Sequence, residues 1–244
     1  MPSSPSPDPS PLADLRSPRD AGPWAQELGR LLRHRFLLKF CGISAFIWVF
    51  FLAYFHLLRH PVQAPLVMPL LALDHWIAFE PAAFWAYASL WVYVGIPAGM
   101  MPSLRHLVLY GLWVGGLCLA GLAFFYFCPT AVPLRELPPE LASHPGFALL
   151  QGIDAAGNAF PSLHVATAAF SAIWIDRLLR LLGAPWLPRA LNLLWLLLIV
   201  WSTLAIRQHV LLDVVAGVLL AALFAWPSLR WFLRRPQDLL QGAR

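Results

Sequence analysis

Two histidines, each near one end of a long hydrophobic stretch, are the strongest chemical feature of this sequence. His164 follows Pro161 and Ser162, so a hydroxyl and an imidazole stand together where a helix should begin. His209 lies four residues before Asp213, a spacing that predicts an imidazole and a carboxylate on one helix face. A carboxylate behind an imidazole fixes its tautomer and raises its basicity. Together these groups predict transfer of a phosphoryl group through a histidine intermediate.

The residues around His164 also predict an anion site. Pro161 suits the first turn of a helix, where a missing N–H costs nothing, and the free N–H groups of that turn bind anions. We therefore expect Ser162 and His164 to reach a bound phosphate. Arg135 and Arg207 are candidate ligands, because guanidinium groups bind phosphate oxygens in a bidentate manner. A non-catalytic polar turn for His164, and an interfacial anchor for each arginine, are the alternatives.

The composition places these groups in a membrane. Hydrophobic residues make up 59% of the 244 residues and charged residues 12%, whereas soluble proteins carry roughly 25% charged residues. The sequence therefore predicts an all-α integral membrane protein, a bundle of six transmembrane helices. Each crossing takes ~20 residues, and six stretches are long enough: 36–58, 77–101, 104–127, 159–182, 189–206 and 210–233.

The remaining segments are assigned from composition. Residues 1–25, rich in Pro and Ser, are expected to form a disordered cytoplasmic tail, with a surface helix beginning near Trp24. Residues 26–235 form the predicted membrane domain, and residues 236–244 a short cytoplasmic tail. The three cysteines have no metal-ligand spacing. We therefore predict no cysteine metal site and no disulfide, and we expect no cofactor.

The distribution of charge predicts the orientation. The net charge is +5, but the basic residues are spread over loops and termini, which argues against a nucleic-acid partner. All but three of the 17 Lys and Arg residues fall on the side that holds both termini; the exceptions are Arg59, Arg135 and Arg207. Because cytoplasmic loops are rich in Lys and Arg, both termini should be cytoplasmic and both histidine blocks outside. A bacterial inner (plasma) membrane is the expected location.

The histidine blocks resemble the type-2 phosphatidic-acid phosphatase superfamily, whose fold is a six-helix membrane bundle related to vanadium haloperoxidases. That family has three motifs: Lys-x6-Arg-Pro, Pro-Ser-Gly-His and Ser-Arg-x5-His-x3-Asp. The second is matched at Pro161, Ser162 and His164, with Leu163 in place of Gly. The third is matched at Ser202, His209 and Asp213, with Thr203 in place of Arg. The first is matched only at Arg135, since Cys128 replaces Lys and Glu136 replaces Pro.

The departures from these motifs resemble one branch of the superfamily. The segments 129–135 and 160–166, followed by Gln208, His209 and Asp213, look like those of inositol phosphorylceramide synthases and sphingomyelin synthases. Members of that branch move a phospho-headgroup between lipids. Losing basic residues at positions 128 and 203 should weaken binding of a doubly charged phosphomonoester, and Arg207 is the candidate to compensate.

The resemblance implies a role for each site residue. His209 would attack phosphorus, Asp213 would orient it, and His164 would protonate the leaving alkoxide and then activate the acceptor. Arg135, Ser162 and Arg207 would hold the phosphate oxygens, without a metal. The implied function is a lipid phosphatase acting on a lipid phosphate or diphosphate at the outer membrane–water interface, with membrane lipids around it. The alternatives are a lipid phosphotransferase and a non-catalytic transporter or scaffold with the same fold; the oligomeric state stays open.

Overall fold

The computed structural model describes residues 24–133 and 157–233, which are mostly helical. Arg135 and both tails lie outside the described residues. The helices are α1 (Trp24–Arg33), α2 (Phe36–Arg59), α3 (Ala72–Trp76), α4 (Phe84–Ala88), α5 (Leu90–Tyr93), α6 (Gly95–Gly99), α7 (Leu104–Phe127), α8 (Leu163–Leu181), α9 (Trp186–Ala205) and α10 (Leu211–Leu233). A 3₁₀ turn, Pro81–Ala83, precedes α4.

Four described helices are long and apolar enough to cross a membrane, namely α2, α7, α9 and Leu211–Phe232 of α10. They correspond to the first, third, fifth and sixth predicted spans, with ends that differ by at most three residues. Most of their side chains are exposed or only half-buried in the isolated chain. Because these exposed side chains are mainly apolar, lipid is the solvent that suits them.

The fourth predicted span is α8, the central helix of the bundle. It packs against α7, α9 and α10, and most of its side chains are buried. Its last two turns carry Asp176, Arg177 and Arg180, and the carboxylate of Asp176 accepts hydrogen bonds from Arg180 and Arg189 at 2.7 and 2.8 Å. Length and hydropathy alone therefore do not mark α8 as a span, and the six-span count remains a prediction.

The second predicted span, 77–101, is a series of short helices rather than one regular helix. Breaks occur at Ser89 and Val94. The Ser89 hydroxyl donates to the Ala86 carbonyl at 2.6 Å, a side-chain bond that competes with the helical ladder. Pro97, between two glycines, also lacks the N–H that a regular helix requires. Hydropathy detects an apolar stretch here but not these local interruptions.

Short segments at the histidine end of the bundle tie the helix ends together. Two-residue strands, β1 (Leu66–Val67) and β2 (Thr130–Ala131), pair in parallel, and Ala131 also bridges to Gly157. The Thr130 hydroxyl accepts a hydrogen bond from the Phe160 N–H at 2.8 Å. A small apolar cluster fills the space beneath these segments: Met68, Val132, Ala159 and Val210.

The opposite end of the bundle holds α1, where the sequence predicts a surface helix. The Lys39 ammonium is buried and donates to the carbonyls of Leu31 and Gly99 at 2.7 and 2.6 Å. These bonds join α1, α2 and α6, and they satisfy carbonyls that a helix end leaves without a partner. The bundle thus has one end marked by Lys39 and another marked by the histidines.

Candidate active site

Ser162 begins α8 as its N-cap residue. Its hydroxyl accepts a hydrogen bond from the Val165 N–H at 3.2 Å, and its side chain is fully buried. Such a cap satisfies one of the unpaired N–H groups at a helix start. Pro161 consequently precedes the cap instead of lying in the first helical turn, which corrects the sequence prediction. The observed role of Ser162 is to start α8, and its contact with phosphate remains a prediction.

His164 is buried and held on two sides by aromatic rings. Its ring stacks on Tyr87, with centroids 3.9 Å apart and planes 11° apart, and it meets Trp91 edge-on at 5.9 Å. The His164 Nε2 lies 3.1 Å from the Tyr87 carbonyl oxygen. Because a carbonyl only accepts, Nε2 must carry the hydrogen, and Nδ1 is the acceptor of the neutral ring. The ring is therefore fixed in one orientation, with Nδ1 left for proton exchange.

His209 lies in the turn between α9 and α10. The Thr203 carbonyl accepts the N–H groups of Gln208 and His209 at 3.0 and 3.2 Å, and Arg207 adopts a left-handed conformation with φ 60°. Since α10 begins at Leu211, His209 precedes the helix, and the prediction that it shares a helix face with Asp213 is wrong in its geometry. The turn, and not a helical repeat, sets the position of the imidazole.

The carboxylate of Asp213 nevertheless lies beside His209. One oxygen, Oδ2, accepts the Val210 N–H at 2.9 Å and is 3.5 Å from His209 Nδ1. Asp213 is fully buried, and within the described residues its Oδ1 and His209 Nδ1 have no hydrogen-bond partner. Buried polar atoms normally find partners. A small rotation of the imidazole toward Oδ2 would give His209 Nδ1 a hydrogen-bond acceptor.

Close packing of α8 against α10 brings the two histidine blocks together. The Ser162 N–H donates to the Asp213 carbonyl at 3.1 Å. One turn further along α10, a Cβ on Gly217 would lie 2.6 Å from the Ser162 carbonyl oxygen. A side chain there would force the backbones apart, so glycine permits this approach. His164 and His209 then line one cavity of about 730 Å³.

Arg207 is the one candidate phosphate ligand with a guanidinium in the described part of the chain. Its guanidinium lies 5.4 Å from the centroid of the Phe79 ring, a cation–π contact, and its side chain is half-buried. Arg59 makes a similar contact with Phe55 at 5.6 Å but is exposed, at the end of α2. Arg135 lies outside the described residues, so its role and that of Arg207 remain predictions.

Position 203, where the third motif of the resembled family has arginine, faces the packed interior. The Thr203 side chain is fully buried, and its hydroxyl donates to the Val200 carbonyl at 2.8 Å. Cys128, where that family has lysine, is exposed at the end of α7. Neither position therefore brings a positive charge to the histidines.

Sequence reasoning missed three residues that shape the site. The buried carboxylate of Asp74 accepts the N–H groups of Leu211 and Leu71, both at 2.8 Å, so it ties α3 to the start of α10. Tyr87 positions His164, as described above. Asn158 donates to the Tyr54 carbonyl at 3.2 Å and lines the cavity beside the histidines. No spacing in the sequence marks these residues, because their partners are distant along the chain.

Comparison with known proteins connects this geometry to a family. Residues 119–237 match the family model described as the PAP2 superfamily. The matched segment contains all six candidate site residues, Arg135, Ser162, His164, Arg207, His209 and Asp213. Comparison with curated proteins and with solved structures gives no significant match.

Proposed function

The chain belongs to the PAP2 superfamily, the type-2 phosphatidic-acid phosphatases, and from this premise we propose that it is a membrane lipid phosphatase that hydrolyses a lipid phosphate or diphosphate. The observation that carries the proposal is the pair of His209 and the buried Asp213, whose Nδ1 and Oδ2 atoms lie 3.5 Å apart, on a cavity that His164 also lines. A nucleophile backed by a carboxylate and facing a second imidazole is suited to covalent phosphoryl transfer.

The first step forms a phosphohistidine. The lone pair on His209 Nε2 attacks phosphorus, and the bond between phosphorus and the lipid oxygen breaks. His164 enters this step as the imidazolium, gives its Nδ1 proton to the leaving oxygen and becomes neutral, while its Nε2–H stays bonded to the Tyr87 carbonyl. The carboxylate of Asp213, beside Nδ1 of His209, stabilises the positive charge that develops on the attacking ring.

The second step returns the enzyme to its starting state. His164 now accepts a proton from water, and the water oxygen attacks phosphorus. The bond between phosphorus and His209 Nε2 breaks, its electron pair returns to the ring, and phosphate leaves. We expect arginines and backbone N–H groups, rather than a metal, to carry the charge of the transition state.

A phosphotransferase that passes the phospho-headgroup to a lipid alcohol is the second candidate. It is favoured by the uncharged residues Cys128 and Thr203, because a less basic pocket suits a phosphodiester, which carries one negative charge. The chemistry is unchanged, except that the alcohol replaces water in the second step. A non-catalytic transporter or scaffold is the remaining alternative.

One assay separates these functions. The purified protein in lipid nanodiscs is given a panel of phospholipids and lipid phosphates with a chelator present, and both free phosphate and new lipids are measured. Free phosphate that depends on His209 supports the phosphatase. New phospholipid without free phosphate supports the transferase, and neither product with any lipid supports the non-catalytic alternative. A requirement for added metal would contradict the proposed mechanism.

We expect Arg207→Gln to lower kcat/KM about ten- to hundredfold, because a charged contact to phosphate is worth ~1.5–3 kcal/mol. Arg59→Gln is the matched control: its guanidinium also lies over a phenylalanine ring, but no motif adjoins it. It should retain activity within about twofold. Equally small effects of the two changes would make Arg207 an interfacial anchor. The pocket would then depend on Arg135, Ser162 and backbone N–H groups, which favours the transferase.

We also propose that the site faces outward, with both termini in the cytoplasm. The charge distribution supports this orientation, and the histidines lie at the end of the bundle opposite Lys39. Single cysteines at Ser143 and Ser4, in a background without native cysteines, test it with an impermeant thiol reagent. Labelling of Ser143→Cys in intact cells, and of Ser4→Cys only after lysis, is expected. The reverse pattern would overturn the orientation.

A further inference from the structure

We propose that the cavity beside the histidines holds the hydrocarbon chain of the lipid inside the bundle, and that its far end sets the longest chain accepted. The inference rests on the proposed function, which supplies the phosphate-bearing headgroup, and it adds where the hydrocarbon chain of that lipid lies. The cavity of about 730 Å³ falls in the size range of pockets that enclose a whole small ligand. It is therefore larger than a phosphate requires.

The cavity is long enough to follow a lipid chain into the membrane. Its lining runs from Phe55 to Leu38 on α2 and from Phe125 to Leu104 on α7. At 1.5 Å per residue these stretches measure ~26 and ~32 Å, against ~30 Å for the hydrocarbon core of a bilayer. The cavity thus extends from the histidines almost to the end of the bundle that holds Lys39.

The lining changes from polar to apolar along this path. His164, His209, Gln208 and Asn158 lie at the outer end. Beyond them the walls are mostly aliphatic and aromatic, and α2, which packs mainly on α6 and α7, forms one of these walls. A phosphate at the histidines would place the attached chain in the apolar part.

Such a cavity should select chains by steric fit. A bilayer is as apolar as these walls, so moving a chain from lipid into the cavity gains little hydrophobic free energy. A chain that fits gains packing contacts and fixes its headgroup against His209. A chain longer than the cavity must bend back or leave it. We therefore expect an upper limit on length, and not a steady gain with each methylene.

Two glycines in the far part of the cavity allow the limit on chain length to be changed by substitution. Gly42 of α2 and Gly111 of α7 line the cavity, and a Cβ on either would meet no atom within 4 Å. Because the Cβ position is open at both glycines, we expect a phenylalanine at either one to fit and to fill part of the cavity. Gly29 of α1 has the same free space but lies outside the lining. Gly29→Phe is therefore the matched control.

The test measures kcat/KM on a series of single-chain alkyl phosphates that differ only in length, with the full chain in nanodiscs. In Gly111→Phe, the ratio for the longest over the shortest good substrate should fall at least tenfold, with the shortest unaffected. Gly42→Phe should act in the same direction, and Gly29→Phe should leave the ratio within twofold of the wild-type value. An equal loss at every length, or no change at any length, would overturn the inference.

A second measurement needs no turnover. An alkyl phosphate with a diazirine at the chain end is bound to the His209→Ala protein and photolysed, and the labelled residues are mapped by mass spectrometry. Label on Ile43 or Tyr110, which line the far part of the cavity and are not exposed, is expected. Label on the lipid-exposed Trp48 or Leu112 instead would place the chain in the bilayer and refute the inference. The two proposals can fail separately. If the chain end labels the far lining but the wild-type protein hydrolyses no lipid phosphate, the cavity proposal stands and the phosphatase proposal fails.

Discussion

Replacing His209 with alanine should remove nearly all turnover while the bundle stays folded. The imidazole is the proposed nucleophile, and removing a nucleophile normally costs several orders of magnitude in kcat. The side chain is 10% exposed, and its Nδ1 has no hydrogen-bond partner among the described residues. The change therefore takes away the reacting atom without breaking a structural bond. The rate of phosphate release, together with the melting temperature, measures both consequences.

His60→Ala is the control for this prediction. His60 follows α2, is exposed, and is outside the cavity lining, so its loss should leave turnover within about twofold of wild type. Radiolabelled phosphate from the substrate should also be trapped on the wild-type protein and not on His209→Ala. If His209→Ala kept more than about a tenth of the wild-type rate, the assignment of the nucleophile would fail.

Hydropathy predicts the long helices well because lipid imposes a simple rule. A segment that crosses a bilayer must be apolar over ~20 residues and must satisfy its own backbone, and α2, α7, α9 and α10 show both features. The stretch 77–101 is also largely apolar, but Pro97 and the Ser89 hydroxyl interrupt its ladder. Hydropathy averaged over a window of residues cannot detect a side-chain hydrogen bond that competes with the helical ladder.

For the candidate site too, the sequence predicts some features and not others. The residue types at His164, His209 and Asp213 indicate the proposed chemistry, because ionisable groups in membrane segments are costly and usually functional. The geometry could not be predicted, since His209 lies in a turn fixed by the Thr203 carbonyl. Asp74 is the clearest case: its bond to the Leu211 N–H joins residues 137 positions apart. Only the folded chain brings such partners together.

Asp213→Asn should lower kcat by about a hundredfold or more and leave KM nearly unchanged. The carboxylate lies 3.5 Å from His209 Nδ1, and its charge should matter most when the ring becomes positively charged in the transition state. Removing the supporting carboxylate from serine hydrolase triads costs more than a hundredfold. An interaction made mainly in the transition state lowers kcat rather than substrate binding.

The asparagine variant separates this electrostatic role from a structural one. Asp213 Oδ2 also accepts the Val210 N–H at 2.9 Å, and an asparagine carbonyl oxygen can accept the same bond. Asp213→Asn should therefore keep the start of α10 intact, whereas Asp213→Ala should also lose about 1 kcal/mol of stability. Asp176→Asn, which neutralises a carboxylate at the other end of α8, should retain full turnover. If Asp213→Asn kept activity within about threefold of wild type, the carboxylate would serve the helix start alone, and His209 would need another partner to balance its charge.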